Sequence, residues 1–255
     1  MQKNIFMAFA FLIMIGCSTK NESNGEDTST NADTTAPVTT ENHNTLTEAQ
    51  KAEGWQLLFD GKSMNGWRTY QNKENDSWEV IDGTLHCKPF KEDAENKRAD
   101  LVTTGQYENF EFAFDWKISP QGNSGVMFHV SEEHSEPYAT GPEYQLLDDE
   151  GYPGDVKDVQ LTAANYDMQA PSYKKLNPAG EWNSSRIVVN ENKVEHWLNG
   201  DKVLTYDIGS PAWAKIKQES KWKDFPAYGT TATGYLDLQD HGNEVWFRNL
   251  YIKTL

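Results

Sequence analysis

Three histidines, one glutamate and two glutamines stand on stretches whose neighbours alternate apolar and polar: His129 in NSGVMFHV, Glu143 and Gln145 in EYQLLD, His196 in KVEHWLNG, Gln239 and His241 in YLDLQDHG. Imidazole and carboxyl groups move protons near neutral pH, and side-chain amides supply fixed donors and acceptors. In an extended strand, residues two apart share a face. Glu143 therefore lies beside Gln145, and Asp237 beside Gln239 and His241. His196 shares a face with Val194 and Leu198. His129 falls with Gly125 and Met127, opposite Val126, Phe128 and Val130. One lone histidine on a strand is an ordinary structural residue. This concentration in a β-rich chain instead predicts a concave polar floor with acid–base capacity.

Other candidates surround that floor. Asn123 and Tyr166 stand in the same stretches or in loops beside them, with Tyr138 and Tyr152 as further loop aromatics. Arg248 is a candidate substrate contact, although pairing with a carboxylate such as Asp115 would account for it equally. Asp240 is expected to brace its turn through backbone amides. His, Glu, Asp and Gln together could also hold a divalent cation through nitrogen and oxygen, but no short ligand spacing marks a site.

The elements that must carry these residues are short strands. Asp82-Gly83 and Asn199-Gly200 sit between apolar alternating runs, a hairpin signal that rests on glycine and a small polar residue accepting positive φ. NFEFAFDWKIS sets Phe110, Phe112, Phe114 and Trp116 on one face. The closing stretch YLDLQDHGNEVWFRNLYIK reads as a further strand pair turning at Gly242-Asn243. Apart from a brief helical entry, TEAQKAEGW, helical periodicity is nearly absent, so a single all-β sandwich or jelly roll is expected. Two long irregular stretches, from Asp148 to Gly180 and from Pro211 to Gly229, are long enough to be walls or lids.

The chain has 255 residues, 12% aromatic, with nine Trp and a formal net charge of -16. No basic stripe exists to grip phosphates, so a nucleic-acid role is excluded. Residues 1–17, MQKNIFMAFAFLIMIGC, have a Lys3 start and an apolar run too short to span a bilayer, the pattern of a secretory signal. The Gly16-Cys17 pair resembles a bacterial lipobox, which implies lipidation of Cys17 and, with Ser18 rather than Asp next, an outer-membrane location. Residues 18–46 are almost wholly polar and predict a disordered tether, leaving 47–255 as the folded domain. Beyond Cys17 only Cys87 remains, so the domain holds no internal disulfide and no cysteine zinc site.

Five phrases occur together, in order: GWQLLFDGKSMNGW, GNSGVMFHV, EYQLLDDE, GEWNSSRIVV with HWLNG, and LQDHGNEVWFRNLYIK. As a set over residues 53–255 they resemble the 3-keto-disaccharide hydrolase family, also described as 3-keto-glucoside 1,2-lyase and 3-keto-2-hydroxy-glucal hydratase domains. The resemblance implies a concanavalin-type lectin and glucanase jelly roll, a 3-keto-glycoside substrate and a sugar 3-oxidoreductase acting upstream. It departs at His129, where family members often carry Arg. The implied chemistry is removal of the acidic C2 proton, expulsion of the C1 substituent, and rehydration to net hydrolysis. In that scheme His241 or His196 is the base, Glu143 its partner or the acid, and Gln145, Gln239, Asn123, His129, Tyr166 and Arg248 contact the substrate.

Two other functions compete. A conventional glycosidase needs two carboxyls about 5–10 Å apart across the bond, and Glu143 with Asp148 are the nearby pair, though alternation turns them to opposite faces. A lectin-like carbohydrate-binding module would use the same fold without chemistry, but its face would be poor in titratable groups.

Overall fold

The alternation in residues 110–118 dictates the inner layer. In the computed structural model, which describes residues 42–92, 95–172 and 175–255, Phe110, Phe112, Phe114, Trp116 and Ile118 all point into one core and are at most 2% exposed. The segments expected at residues 1–17 and most of 18–46 lie outside the described residues.

The chain enters through helix α1 (Glu48–Ala52), whose Thr47 forms a capping box with Gln50. Strands β1 (Gln56–Leu57), β2 (Trp67–Thr69), β3 (Trp78–Ile81), β4 (Thr84–Cys87), β5 (Leu101–Thr103), β6 (Phe110–Ile118), β7 (Asn123–Val130) and β8 (Glu143–Leu147) follow. Then come β9 (Asn183–Asn190), β10 (Lys193–Leu198), β11 (Asp201–Asp207), helix α2 (Pro211–Glu219), a 3-10 turn at Lys221–Asp224, β12 (Tyr235–Leu238) and β13 (Val245–Thr254). They build two antiparallel sheets, one ordered β11-β10-β9-β6-β13-β4-β3 with β1 added on β13, the other β2-β5-β12-β7-β8. Apolar faces of the two meet: Leu101, Val126, Phe128, Tyr144, Leu146, Leu236 and Leu238 from the smaller sheet pack on β6, Ile187, Val189 and Phe247 from the larger. This is the jelly-roll sandwich that the strand pattern predicts. Asp82 with Gly83 and Asn199 with Gly200 have positive φ at both positions, as a two-residue hairpin turn requires.

Three expectations need correction. The closing stretch is not a hairpin: β12 pairs with β5 and β7, while β13 pairs with β6, β4 and β1. Residues 239–244 therefore cross from one sheet to the other. The alternation of β7 also fails at its end. His129 has φ +54°, and the β12–β7 register slips there. Val130 consequently joins Tyr70, Val102 and Met127 on the outer side, while His129 turns between Phe110 and Phe128 with its Nε2 2.8 Å from the Glu108 carbonyl. Finally, the last residues assigned to the tether belong to the fold. Asn44 and Asn249 each accept the other's backbone N–H, at 2.7 and 2.8 Å, and Asn44 Nδ2 donates to the Gly83 carbonyl.

Candidate functional site

The outer face of the smaller sheet is where polarity is out of place. Its register sets Asp237 opposite Met127, and Met127 opposite Glu143, in one row across three strands. The next row holds Gln239, whose N–H donates 2.9 Å to the Gly125 carbonyl, then Gly125 and its partner Gln145. Beyond it lie His241 and Asn123, with Asn123 Nδ2 3.5 Å from His241 Nε2 and 3.4 Å from the Tyr152 hydroxyl. These residues floor a cavity of about 350 Å³ lined by Asn123, Glu143, Gln145, Gln239 and His241 below and by Tyr138, Tyr166, Lys221, Trp222 and Phe225 as walls. That size accommodates a small ligand.

Each wall has a local cause. Residues 163–166 run beside β8, trading Ala163 N–H to Gln145, Gln145 N–H to Ala164 and Tyr166 N–H to the Glu143 carbonyl, which lays the Tyr166 ring against the pocket. The 3-10 turn starts at Ser220, whose hydroxyl accepts from Trp222 N–H, while Lys221 N–H is held by Asp167. Trp222 donates through Nε1 to the Tyr166 carbonyl and stacks on Tyr228 at 4.2 Å. Tyr228 stacks on Trp213, and Trp213 on Tyr206, so a column of rings anchors this wall to the core.

Electrostatically the floor is unusual. Glu143 is only 3% exposed, and burial, opposed by the Lys221 charge and reinforced by Asp100, lifts its pKa to about 8. Asp237 is fully buried and pushed well above the carboxylate range by burial, then by Asp100 and Glu143; Asp100 itself rises to about 7, chiefly through burial. Buried oxygens of Asn123, Gln145 and Gln239 and both oxygens of Asp237 have no donor among the described residues. Such acceptors suit a ligand that brings hydroxyl groups. Lys221 is exposed as a residue, yet its Nζ lies 4.0 Å from the Tyr166 ring centroid and 4.3 Å from that of Trp222. Lost hydration lowers its pKa, against the pull of Glu143 and Asp167.

The structure brings Asn123, Glu143, Gln145, Tyr166, Gln239 and His241 together, and leaves three candidates elsewhere. His196 is completely buried, hydrogen-bonded to the Ala163 carbonyl at 3.0 Å and the Tyr206 hydroxyl at 3.1 Å, with its pKa lowered to about 4 by burial. It cannot reach a ligand in the cavity. His129 is spent on the Glu108 carbonyl, as described above. Arg248 lies on the outer face of the larger sheet, 3.6 Å from Asp115 and 4.0 Å over the Trp182 ring. Asp148 also faces away from the pocket; it accepts the N–H groups of Gln121 and Gly151 and borders a separate cavity with Leu176 and Pro178. Glu143 and Asp148 therefore do not flank one bond. Among the described residues no group of three or more His, Cys, Asp or Glu is placed to hold a metal ion. Lys221, Trp222 and Phe225 were not singled out by sequence, although their long loop was a recognisable wall.

Comparison with known proteins places this geometry. The model of the 3-keto-alpha-glucoside-1,2-lyase-like domain matches residues 54–253. The chain belongs to that family. A relative from Bacteroides thetaiotaomicron, described as a 3-keto-disaccharide hydrolase, is 33% identical over 234 residues, covering 80% of this chain and 79% of its own. A crystal structure from Parabacteroides distasonis, given as a candidate glycosyl hydrolase, is 43% identical with a TM-score of 0.78, covering 84% of this chain and all of that one. Another from the same organism, described in the same words, has 26% identity and a TM-score of 0.61 over 79% of this chain and 99% of that one. Family membership thus covers both sheets and every pocket residue.

Proposed function

We propose that this member of the 3-keto-alpha-glucoside-1,2-lyase-like family cleaves 3-keto-glycosides by elimination. The observation that carries the reading is the Glu143 carboxyl, buried in the floor of the cavity with its pKa near 8 and with an ammonium group on the facing wall. A ketone at C3 acidifies the C2 hydrogen, and a buried carboxylate of raised pKa is a stronger base for such a proton than an exposed one. The resulting enolate oxygen needs a cation or fixed donors, and Lys221 supplies the cation. Collapse of the enolate expels the oxygen at C1.

Glu143 and His241 divide the proton transfers by position. Glu143 is buried and removes the C2 proton. His241 is exposed at the mouth and protonates the departing oxygen, which must leave toward solvent. Asn123, Gln145 and Gln239 receive hydroxyl groups of the ring. Water adding to the unsaturated product gives a 3-keto sugar, so elimination and hydration sum to hydrolysis. Anchoring through Cys17 in the cell envelope, downstream of a sugar 3-oxidoreductase, completes the proposed setting.

The test is incubation with a 3-keto-glucoside in deuterated water. Exchange at C2 together with release of the C1 substituent is the expected result. Absence of both, alongside binding of the unoxidised glycan, would establish a carbohydrate-binding module instead.

A further inference from the structure

We infer that Lys221 is a covalent catalyst, forming an iminium with the C3 ketone of the substrate. The inference rests on the ketone substrate proposed above. Among the described residues Lys221 carries the only primary amine lining the cavity, and it has no carboxylate in salt-bridge contact, although the charges of Glu143 and Asp167 act on it. Its backbone N–H is fixed by Asp167 and its neighbour Trp222 by Tyr166 and Tyr228, so the stem leaves a rigid turn. Its Nζ rests on the rings of Tyr166 and Trp222 rather than among carboxylates. An amine packed on aromatic rings, with a buried carboxyl lining the same cavity, is an arrangement that activates a lysine toward carbonyl groups. Partial dehydration of the amine, which favours its neutral form, acts in the same direction.

The protons balance with water alone. The Lys221 ammonium passes a proton through a water molecule in the cavity to the Glu143 carboxylate, and the freed amine adds to C3. Glu143 returns that proton to the carbinolamine hydroxyl, which departs as water and leaves the iminium. Glu143, again a carboxylate, takes the C2 proton to form an enamine. The enamine expels the C1 oxygen, which takes a proton from the His241 imidazolium, and a conjugated iminium remains. Water hydrolyses it at C3, restoring the ketone and the Lys221 ammonium, while the proton on Glu143 passes through solvent to His241. An iminium acidifies C2 more than a neutral ketone does, which is the gain over an enolate held by a cation.

The ketone oxygen decides the matter, because an iminium must exchange it with solvent. Turnover of a 3-keto-glucoside in ¹⁸O-water, quenched early and read by the isotope shift of the ¹³C3 resonance, should show one solvent oxygen at C3 per turnover, above the uncatalysed rate. Product retaining its original C3 oxygen would overturn the inference while leaving the elimination reading intact; absence of product would sink both. In parallel, cyanoborohydride added during turnover should leave a secondary amine on the Lys221 peptide. Lys221→Arg keeps the cation and cannot form the adduct, so it should lose trapping, and turnover should fall by at least roughly a hundredfold with the circular dichroism unchanged. An Arg variant within about tenfold of the parent would show that charge alone suffices.

Discussion

The carboxyl of Glu143 lies over the bare α-carbon of Gly125, on the neighbouring strand one row away. A Cβ built at Gly125 would collide with Oε1 of Glu143 and come within 2.8 Å of Cδ. Here the glycine is required for space, since its φ is not positive. Gly125→Ala should therefore push the carboxyl out of the floor while the strand pairing survives. We expect kcat to fall by roughly a hundredfold, the usual result of displacing a reacting group by about 1 Å. Thermal unfolding should change little; a variant that keeps parental kcat would show that the carboxyl's place does not matter.

The pH profile separates the two roles open to Glu143. Burial holds its pKa near 8, so the carboxylate becomes available only as pH rises through that value. As the base, it predicts a kcat/KM limb that rises with pH through about 8, opposite in sense to the limb set by the His241 acid. As an acid, it would predict a fall over the same range. Glu143→Gln should abolish the limb and lower the rate by roughly 10²–10⁴-fold, measured with purified protein and a 3-keto-glucoside.

Arg98 sets the place of His241 without touching the cavity. Its Nε and Nη2 both donate to Asp240 Oδ1, and Nη2 also donates to the Lys88 carbonyl. Asp240 N–H donates to Asp100, and Asp240 Oδ1 accepts from Gly242 N–H. The crossover bearing Gln239 and His241 is thus gripped from the 88–100 segment. Arg98→Lys keeps the charge but loses the fork. It should lower kcat by about tenfold or more with a smaller change in KM, and guanidinium ion should restore part of the activity of Arg98→Ala. No rescue and an unchanged kcat would reduce the contact to a structural one.

Much of this was legible before the fold was known, and the failures have physical causes. Period two placed Glu143 with Gln145, and Gln239 with His241, because those strands keep regular pleats. The same rule misplaced His129, since one residue at positive φ inverts every side chain after it. Alternation put His196 correctly beside Val194 and Leu198, but could not say which face was the core. Arg248 failed for the same reason in reverse, because the two halves of the closing stretch enter different sheets. Lys221 gives no strand signal at all. It reaches the site through a loop fold set by Ser220, Asp167 and a stack of rings distant in sequence.

The buried carboxyls carry a cost in stability that depends on pH. In the folded protein Asp237, Asp100 and Glu143 hold their protons to higher pH than in the unfolded chain. Between about pH 4 and pH 8 these three carboxyls bind more protons in the folded state, and their contribution to stability falls as pH rises through this window. His196 and His129, whose pKa values burial lowers, act in the opposite sense over its acid part. Asp237 contributes most cleanly, because neither oxygen has a donor among the described residues and it does not line the cavity. Asp237→Asn replaces a group that must ionise or stay protonated with a neutral one of nearly the same shape. The variant should melt above the parent at pH 8, with the gap closing as the pH falls below about 4, where the parent's carboxyl becomes protonated in both states. The parent and Asp237→Asn are compared by thermal denaturation across that range. A gap that widens toward acid pH would mean that the folded protein holds Asp237 as a paired carboxylate, and the pocket floor would then be ionised.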